Sequence, residues 1–214
     1  MPSAARDDSQ SDLVLDSKSD TRFDPGFTVH TYRERSHSSQ GRAVQREEYW
    51  RRDSQLGGGA YGSAWLEKRV QSHRDVKVRA VKRISTKPLG DGRQLDFGRE
   101  LEAIAKFSHD KVSLTHSTSL GVNLLKSPKY IHCFVKSFGW YEEDQTLFIA
   151  MEYLQHGDLG QYLSTSPPLL EEAAGDLTYQ ILEGLSFMHN KKFAHRDLKP
   201  RVRPSPIKTT KVSD

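Results

Sequence analysis

The 214-residue chain has little cysteine and no long apolar run, and both shortages exclude classes of protein. Its one cysteine, Cys133, cannot form a disulfide within the chain, which excludes a disulfide-stapled fold. Every apolar run is shorter than the roughly 18 residues that a membrane-spanning helix needs. The first ten residues lack the apolar stretch of a secretory signal peptide. These absences favour an intracellular protein, cytoplasmic or nuclear, without a membrane span.

The chain also lacks a strong excess of charge of one sign. It has 32 Lys and Arg against 28 Asp and Glu, for a net charge of +4. A nucleic-acid-binding domain usually concentrates basic residues on one face, so this balance argues against a nucleic-acid partner. The apolar share of 35% is below the usual globular mix, which predicts that part of the chain does not pack into a core.

Residues 1–48 are predicted to be that unpacked part. They are rich in Ser, Asp, Arg and Gln, have few aliphatic side chains, and show neither a helical nor a strand period. From Tyr49 onward the pattern changes to short strands and amphipathic helices. We therefore expect a disordered N-terminal segment followed by a folded region.

The folded region begins with a glycine cluster and a strand that carries a lysine on its apolar face. In "VKVRAVKRI", strand alternation places Lys82 on the same face as Ala80 and Ile84. A lysine there must either extend to solvent or contact an anion. In "LDFGRELEAIAKF", Phe97, Leu101 and Ile104 predict an amphipathic helix, and Glu100 beside its packed face is a candidate partner for Lys82.

The remaining pattern predicts two strands and then two helices. "YIHCFVKSFGWYEE" and "TLFIAMEYL" read as strands joined by a polar turn at 142–145. "GDLGQYL" begins a short helix, and "DLTYQILEGLSFMHN" is a longer one with Asp176 as a plausible N-cap. Its apolar stripe consists of Leu177, Ile181, Leu185 and Met188. Strands, one helix, strands and then helices indicate an α+β fold.

Five motifs in order carry a resemblance to a known family. Gly57, Gly59 and Gly62 fit G-x-G-x-x-G, which alone is a weak signal because dinucleotide-binding turns share it. Here the strand-like "SAWLEK" follows instead of a helix. "RAVKRI", "RELEAIAKFSH", "IAMEYLQHGDL" and "HRDLKP" complete the series. From about Tyr49 to Pro200 the chain resembles the eukaryotic-type protein kinases, in the Ser/Thr form.

The resemblance implies a fold and a division into domains. The fold would be protein-kinase-like, with a small antiparallel β-sheet lobe that has one helix, followed by an incomplete helical large lobe. The small lobe would span residues 49–154 with an irregular insertion at 112–129, the large lobe would begin over 155–200, and a non-homologous basic tail would span 201–214. The function implied is ATP-dependent phosphoryl transfer to Ser or Thr of a protein substrate.

Site residues follow from the same resemblance. The glycines would cover the nucleotide phosphates, and Lys82 would hold the α- and β-phosphates and pair with Glu100, Glu102 being the less favoured partner. The adenine would contact Leu56, Ala80, Met151 and backbone groups of Glu152 and Leu154. Asp197 would accept the proton of the substrate hydroxyl, and Lys199 would steady the transferred phosphate. His195 would be structural.

Two departures from the family pattern predict an incomplete and inactive chain. Val202 stands where the family has a magnesium-binding asparagine, and no D-F-G follows "HRDLKP", so the Mg²⁺ ligands of the full-length family are absent. Residues 112–129 interrupt the small lobe without a clear period. Both fit two translated introns, because Val112-Ser113 and Val202-Arg203 can be encoded by common donor sequences; a genuine short isoform is the rival explanation. The alternative function is a non-catalytic, kinase-like module that binds a nucleotide or a partner.

Overall fold

The computed structural model describes residues 11–35, 43–59, 62–70, 76–88, 97–107, 133–196 and 198–199. Its internal contacts divide the chain into two compact units. The first contains the described residues before 108 together with 136–153, and the second contains 133–135 and those from 154 onward. The predicted insertion at 112–129 and the tail at 201–214 lie outside the described residues.

The first unit is a seven-stranded sheet with two helices. The helices are α1 (Asp12–Asp16) and α2 (Phe97–Phe107). The strands are β1 (Asp20–Asp24), β2 (Phe27–Arg35), β3 (Ala43–Gly59), β4 (Gly62–Arg69), β5 (Val78–Ser85), β6 (Ser137–Glu143) and β7 (Thr146–Met151). Their order in the sheet is β1-β2-β3-β4-β5-β7-β6, and every neighbouring pair is antiparallel. The predicted α2 and the predicted turn between β6 and β7 are both present.

Both faces of the sheet are apolar, because the central strands alternate two sets of buried side chains. One set packs with side chains of α1 and α2. This first cluster consists of Val14, Ile84, Leu101, Trp140, Leu147 and Ile149. The other forms a second cluster with Val81, Tyr141, Phe148 and Ala150, and Phe23 and Phe138 pack against it. Near-continuous apolar runs such as "TLFIAM" are typical of strands that are buried on both faces.

The N-terminal strands cover the second face. Phe23 on β1 lies 5.8 Å from the ring of Tyr141 and 5.4 Å from that of Phe148, measured between ring centroids. Just before β1, Lys18 forms a parallel bridge with Trp140 of β6, at the other edge of the sheet. The sheet therefore closes on itself at this point.

The predicted disorder of residues 1–48 is wrong for residues 11–35 and 43–48. These residues form α1, β1, β2 and the start of β3, whereas 1–10 and 36–42 lie outside the described residues. Composition misled the prediction because few of these side chains are apolar, yet two of those few are deeply buried. Val14 is 1% exposed and Val29 is 0% exposed.

A buried polar network joins β2 to the strands beyond it. Arg79 on β5 donates from Nε and Nη2 to Oε2 of Glu67 on β4, at 2.9 and 2.7 Å. Its Nη2 also lies 2.8 Å from Nε2 of His30 on β2. The guanidinium stacks on Trp50, with 4.1 Å between its carbon and the ring centroid. All three ionisable side chains are buried, so each depends on the others for its hydrogen bonds.

The second unit contains α3 (Leu159–Thr165) and α4 (Glu171–Asn190). Asp158 caps α3 by accepting from the Gln161 backbone N–H at 2.8 Å. The predicted N-cap of α4, Asp176, is wrong, because the helix begins at Glu171, before the apolar stripe starts. Pro167 and Pro168 end the preceding segment, and acidic Glu171 and Glu172 suit the positive end of the helix dipole.

Cys133 packs as a small apolar side chain in the second unit. A Cβ placed on Gly184 of α4 would lie 3.2 Å from the Cys133 Cβ, so glycine permits the close approach. Burial raises the pKa of the thiol, which disfavours the nucleophilic thiolate form. Within the described residues, no helix is both long and apolar enough to cross a membrane.

Candidate nucleotide-binding site

The glycine motif lies at the end of the β3–β4 hairpin. Gly57 pairs with Ala64, Gly58 with Ser63, and Gly59 with Gly62, while the hairpin tip at 60–61 lies outside the described residues. The register shifts between Gln55 and Gly57, so the strand is irregular at half-buried Leu56. The motif therefore lies on a strand–turn–strand, as the sequence predicted, and not at the start of a helix.

The three motif glycines differ in why glycine is found at each position. A Cβ on Gly62 would lie 1.9 Å from the carbonyl oxygen of Arg83 on β5, so the packing of β4 on β5 requires glycine. A Cβ on Gly57 or Gly59 would meet no described atom within 4 Å. Packing against the described residues therefore does not explain these two glycines, whereas space for a ligand close to the backbone would.

We expect Gly62→Ala to lower the free energy of unfolding by more than about 2 kcal/mol, because the added methyl group overlaps backbone atoms that cannot rotate away. Gly57→Ala is the matched control, with an expected change of about 0.5 kcal/mol or less. Urea denaturation of the two variants beside the parent chain measures the difference. Equal stabilities of Gly62→Ala and Gly57→Ala would contradict the assignment.

Lys82 and Glu100 contact each other directly. Lys82 lies on β5 and donates from Nζ to Oε1 of Glu100 on α2. Glu102 instead contacts Lys106 one helical turn further along α2. The two acids that the sequence left as possible partners of Lys82 are thus distinguished, and the pairing is with Glu100.

The ion pair is too exposed to matter much for stability. The side chains of Lys82 and Glu100 are 44% and 36% exposed. Pairs of this kind contribute about 0–1 kcal/mol, because water screens them and ordering two long side chains costs entropy. The pair instead fixes the Lys82 ammonium group at a defined, accessible point on β5, which suits the binding of an anion.

The residues assigned to the adenine lie on β3, β5 and β7 and just after β7. Ala80 and Met151 are direct neighbours in the β5–β7 register. The Glu152 N–H donates to the Lys136 carbonyl at 2.9 Å, and the Glu152 carboxylate accepts from the Lys136 N–H at 2.8 Å. The Glu152 backbone N–H is therefore already paired within the chain. The link to Lys136 was not predicted, and no sequence pattern indicates it.

The catalytic-loop motif belongs to the second unit. Asp197 lies outside the described residues, and Lys199 is exposed. Arg196, directly before Asp197, has a φ of 60°. Positive φ is uncommon for residues other than glycine and is found preferentially at functional sites. Leu154 also belongs to this unit, and its carbonyl accepts from the Gly157 N–H at 3.4 Å.

Comparison with known proteins identifies the family. The protein kinase domain family matches residues 50–201, which is most of the chain. The chain belongs to the protein kinase family. Its kinase-like α+β fold is thereby confirmed, with the antiparallel sheet and α2 in the first unit and helices in the second.

The curated relatives of this kinase-family chain are named as Ser/Thr kinases or as members of kinase groups. It is 31% identical over 156 residues to calcium/calmodulin-dependent protein kinase type 1 of Caenorhabditis briggsae, covering 72% of this chain and 36% of that protein. It is 28% identical over 169 residues to the MAP kinase-interacting serine/threonine-protein kinase mnk-1 of Caenorhabditis elegans, covering 76% and 20%. An Aurora kinase of Yarrowia lipolytica is 27% identical over 146 residues, covering 68% and 33%. The chain thus spans about a third or less of these relatives.

Proposed function

We propose that the chain binds ATP at a site of the kind that transfers a phosphoryl group to Ser or Thr of a protein substrate inside the cell, in the cytoplasm or nucleus, and that the 214-residue chain itself lacks this activity. The observation that carries this proposal is the contact between Lys82 and Glu100, beside a glycine hairpin with space over Gly57 and Gly59. The domains would follow the family, with a small lobe at 49–154, now extended by the N-terminal strands, and a large lobe that begins at 155.

Each binding residue has a proposed role toward ATP. Gly57, Gly59 and Gly62 keep the hairpin backbone close to the phosphates, and Lys82 neutralises charge on the α- and β-phosphates. The adenine is held by apolar and backbone groups, namely Leu56, Ala80, Met151, Glu152 and Leu154. In the family's reaction ATP would supply the phosphoryl group, Asp197 would accept the proton of the attacking hydroxyl, and Lys199 would balance charge on the transferred phosphate.

The residues present do not fit a magnesium ion. Val202 stands where the family has an asparagine, and an aliphatic side chain cannot coordinate a hard cation. We derive no step through the ion, and we expect the 214-residue chain to bind ATP without transferring phosphate. This combination favours the second candidate function, a nucleotide-binding module without catalysis.

Replacing Lys82 with methionine tests ATP binding. We expect the dissociation constant for ATP, measured by calorimetry, to rise about 10- to 100-fold, because hydrogen bonds to charged groups contribute about 1.5–3 kcal/mol. The melting temperature should hardly change, since the ion pair is half exposed. The matched control is Lys68→Met, which removes a lysine that is 39% exposed and pairs with Asp53 on the neighbouring strand. Equal ATP affinity of Lys82→Met and the parent chain would refute the assignment.

A transfer assay separates the two candidate functions. The 214-residue chain is incubated with Mg²⁺, labelled ATP and a general Ser/Thr protein substrate, beside its Asp197→Asn variant. We expect no transfer above background from either chain. Labelling of the substrate that disappears in Asp197→Asn would show instead that the chain is an active kinase.

A further inference from the structure

An N-terminal segment, residues 11–19, packs on the same side of the sheet as α2. Val14 of α1 is 1% exposed and lies in one apolar cluster with Leu101 of α2 and Trp140 of β6. Leu101 directly follows Glu100, the partner of Lys82. We propose that Val14 is a positioning residue: its packing against α2 holds Glu100 in contact with Lys82 and so prepares Lys82 for the phosphates of ATP. This inference rests on the proposed function.

Hydrogen bonds fix the N-terminal segment to β6 independently of the apolar contact. The indole Nε1 of Trp140 donates to the Val14 carbonyl at 2.8 Å. The Ser19 N–H donates to the Trp140 carbonyl at 2.8 Å, and the Trp140 N–H donates to the Ser17 carbonyl at 3.2 Å. Trp140 thus contacts the segment through its backbone and its side chain, so the position of Val14 is defined relative to the sheet.

Gly139 shows that β6 is shaped to receive this segment. Its φ of +106° is strained for any residue with a side chain. A Cβ there would also lie 2.6 Å from the Ser17 carbonyl oxygen and 2.8 Å from the Ser19 hydroxyl. Glycine at this position allows residues 17–19 to approach the β6 backbone. A glycine inside a strand is the sequence signal of such a close approach.

Packing, and not the ion pair, sets the position of α2. An isolated helix of 11 residues is marginal in water, so α2 depends on its neighbours. Within the described part of the first unit, α2 packs mainly on α1 and β6. The Lys82–Glu100 pair is half exposed and contributes little, whereas burying a valine side chain contributes several times more. Loss of the Val14 contact should therefore release Glu100, and loss of the ion pair should not release α2.

The test compares ATP with adenosine, which lacks the phosphates that Lys82 would contact. Both dissociation constants are measured by calorimetry on the full 214-residue chain, for the parent, Val14→Ala and Val14→Ile. Leu15→Ala is the matched control on the same helix, because Leu15 is 50% exposed. Val14→Ala should weaken ATP binding about tenfold, the effect of losing one charge-assisted hydrogen bond. Its adenosine affinity should stay within about twofold, and Val14→Ile and Leu15→Ala should match the parent chain.

Each other outcome has a definite meaning. An equal fall in ATP and adenosine affinity in Val14→Ala would indicate general destabilisation and would overturn the positioning role. Unchanged ATP affinity in Val14→Ala would overturn it as well. If the parent chain binds neither ligand, the proposed function itself fails. Failure of the inference and failure of the proposed function are therefore distinguishable.

Discussion

Replacing Arg79 with methionine is expected to lower the free energy of unfolding by about 3–5 kcal/mol, because it leaves a buried carboxylate without its partner. The side chains of Arg79 and Glu67 are 2% and 5% exposed, and two hydrogen bonds join them. Without the guanidinium, Glu67 must either stay charged in an apolar environment or take up a proton. His30 loses its hydrogen-bond donor in the same step.

Two further variants isolate the buried charge as the cause. Arg52→Met is the matched control, since Arg52 is an exposed arginine that also stacks on a tryptophan, 5.1 Å from the Trp65 centroid. Arg52→Met should lower the free energy of unfolding by less than about 1 kcal/mol. Adding Glu67→Gln to Arg79→Met should restore about half of the lost stability, because the unpaired charge is removed. Urea denaturation measures all of these values, and a double variant no more stable than Arg79→Met would contradict the explanation.

The Arg79 network also explains how the N-terminal strands come to be part of the folded unit. His30 on β2 contacts the guanidinium directly, and Trp50 on β3 stacks on it. β2 leads back through β1 to residues 17–19, which pair with β6. The strands that cover the second face thus also bring Val14 to α2. The N-terminal segment therefore connects the Arg79 network, on one face of the sheet, with the position of Glu100 on the other face.

The sequence predicted those parts of the fold whose signals are local. Alternation along β5 placed Lys82 on the face of Ala80 and Ile84, and the 3.6-residue period placed Leu101 at the packed face of α2. Both predictions depend only on side-chain periodicity, which the sequence displays directly. The start of α4 was misplaced because a plausible N-cap, Asp176, lies inside the helix, whose true start follows Pro167 and Pro168.

The N-terminal strands could not be predicted because their burial depends on distant partners. His30 would normally indicate an exposed strand, yet it is 1% exposed because Thr21 and Arg79 satisfy both of its ring nitrogens. Gly139, a glycine within a strand, indicates that another segment approaches the strand backbone closely. It does not indicate which segment that is. The roles of Asp197 and Lys199 stay predictions, since they come from the family motif alone.

Acidification is expected to destabilise the chain through His30, and the sign follows from the tautomer. Arg79 can only donate, so Nε2 of His30 must accept, and the proton of the neutral ring lies on Nδ1, which donates to the Thr21 hydroxyl at 2.9 Å. Burial first, and then the charge of Arg79, lower the pKa of His30 from 6.5 to about 3. Glu67 and Tyr141 are further ionisable groups beside this site, and both are buried.

The unfolded chain takes up a proton on His30 below pH 6.5, whereas the folded chain does not until about pH 3. The stability that His30 contributes is therefore complete above pH 6.5, and it falls by up to about 1.4 kcal/mol per pH unit on acidification through this window. Urea denaturation at pH 7, 6 and 5 measures this slope against His30→Gln, whose amide oxygen can accept from Arg79 without titrating. His189→Gln, which replaces an exposed histidine of α4, should keep the slope of the parent chain. Carboxylates titrate in both the parent and His30→Gln. Their contribution to the pH dependence therefore cancels when the two free energies of unfolding are subtracted. If that difference stays constant from pH 7 to 5, burial and the charge of Arg79 do not hold His30 neutral, and the network that ties the N-terminal strands to the sheet has been assigned wrongly.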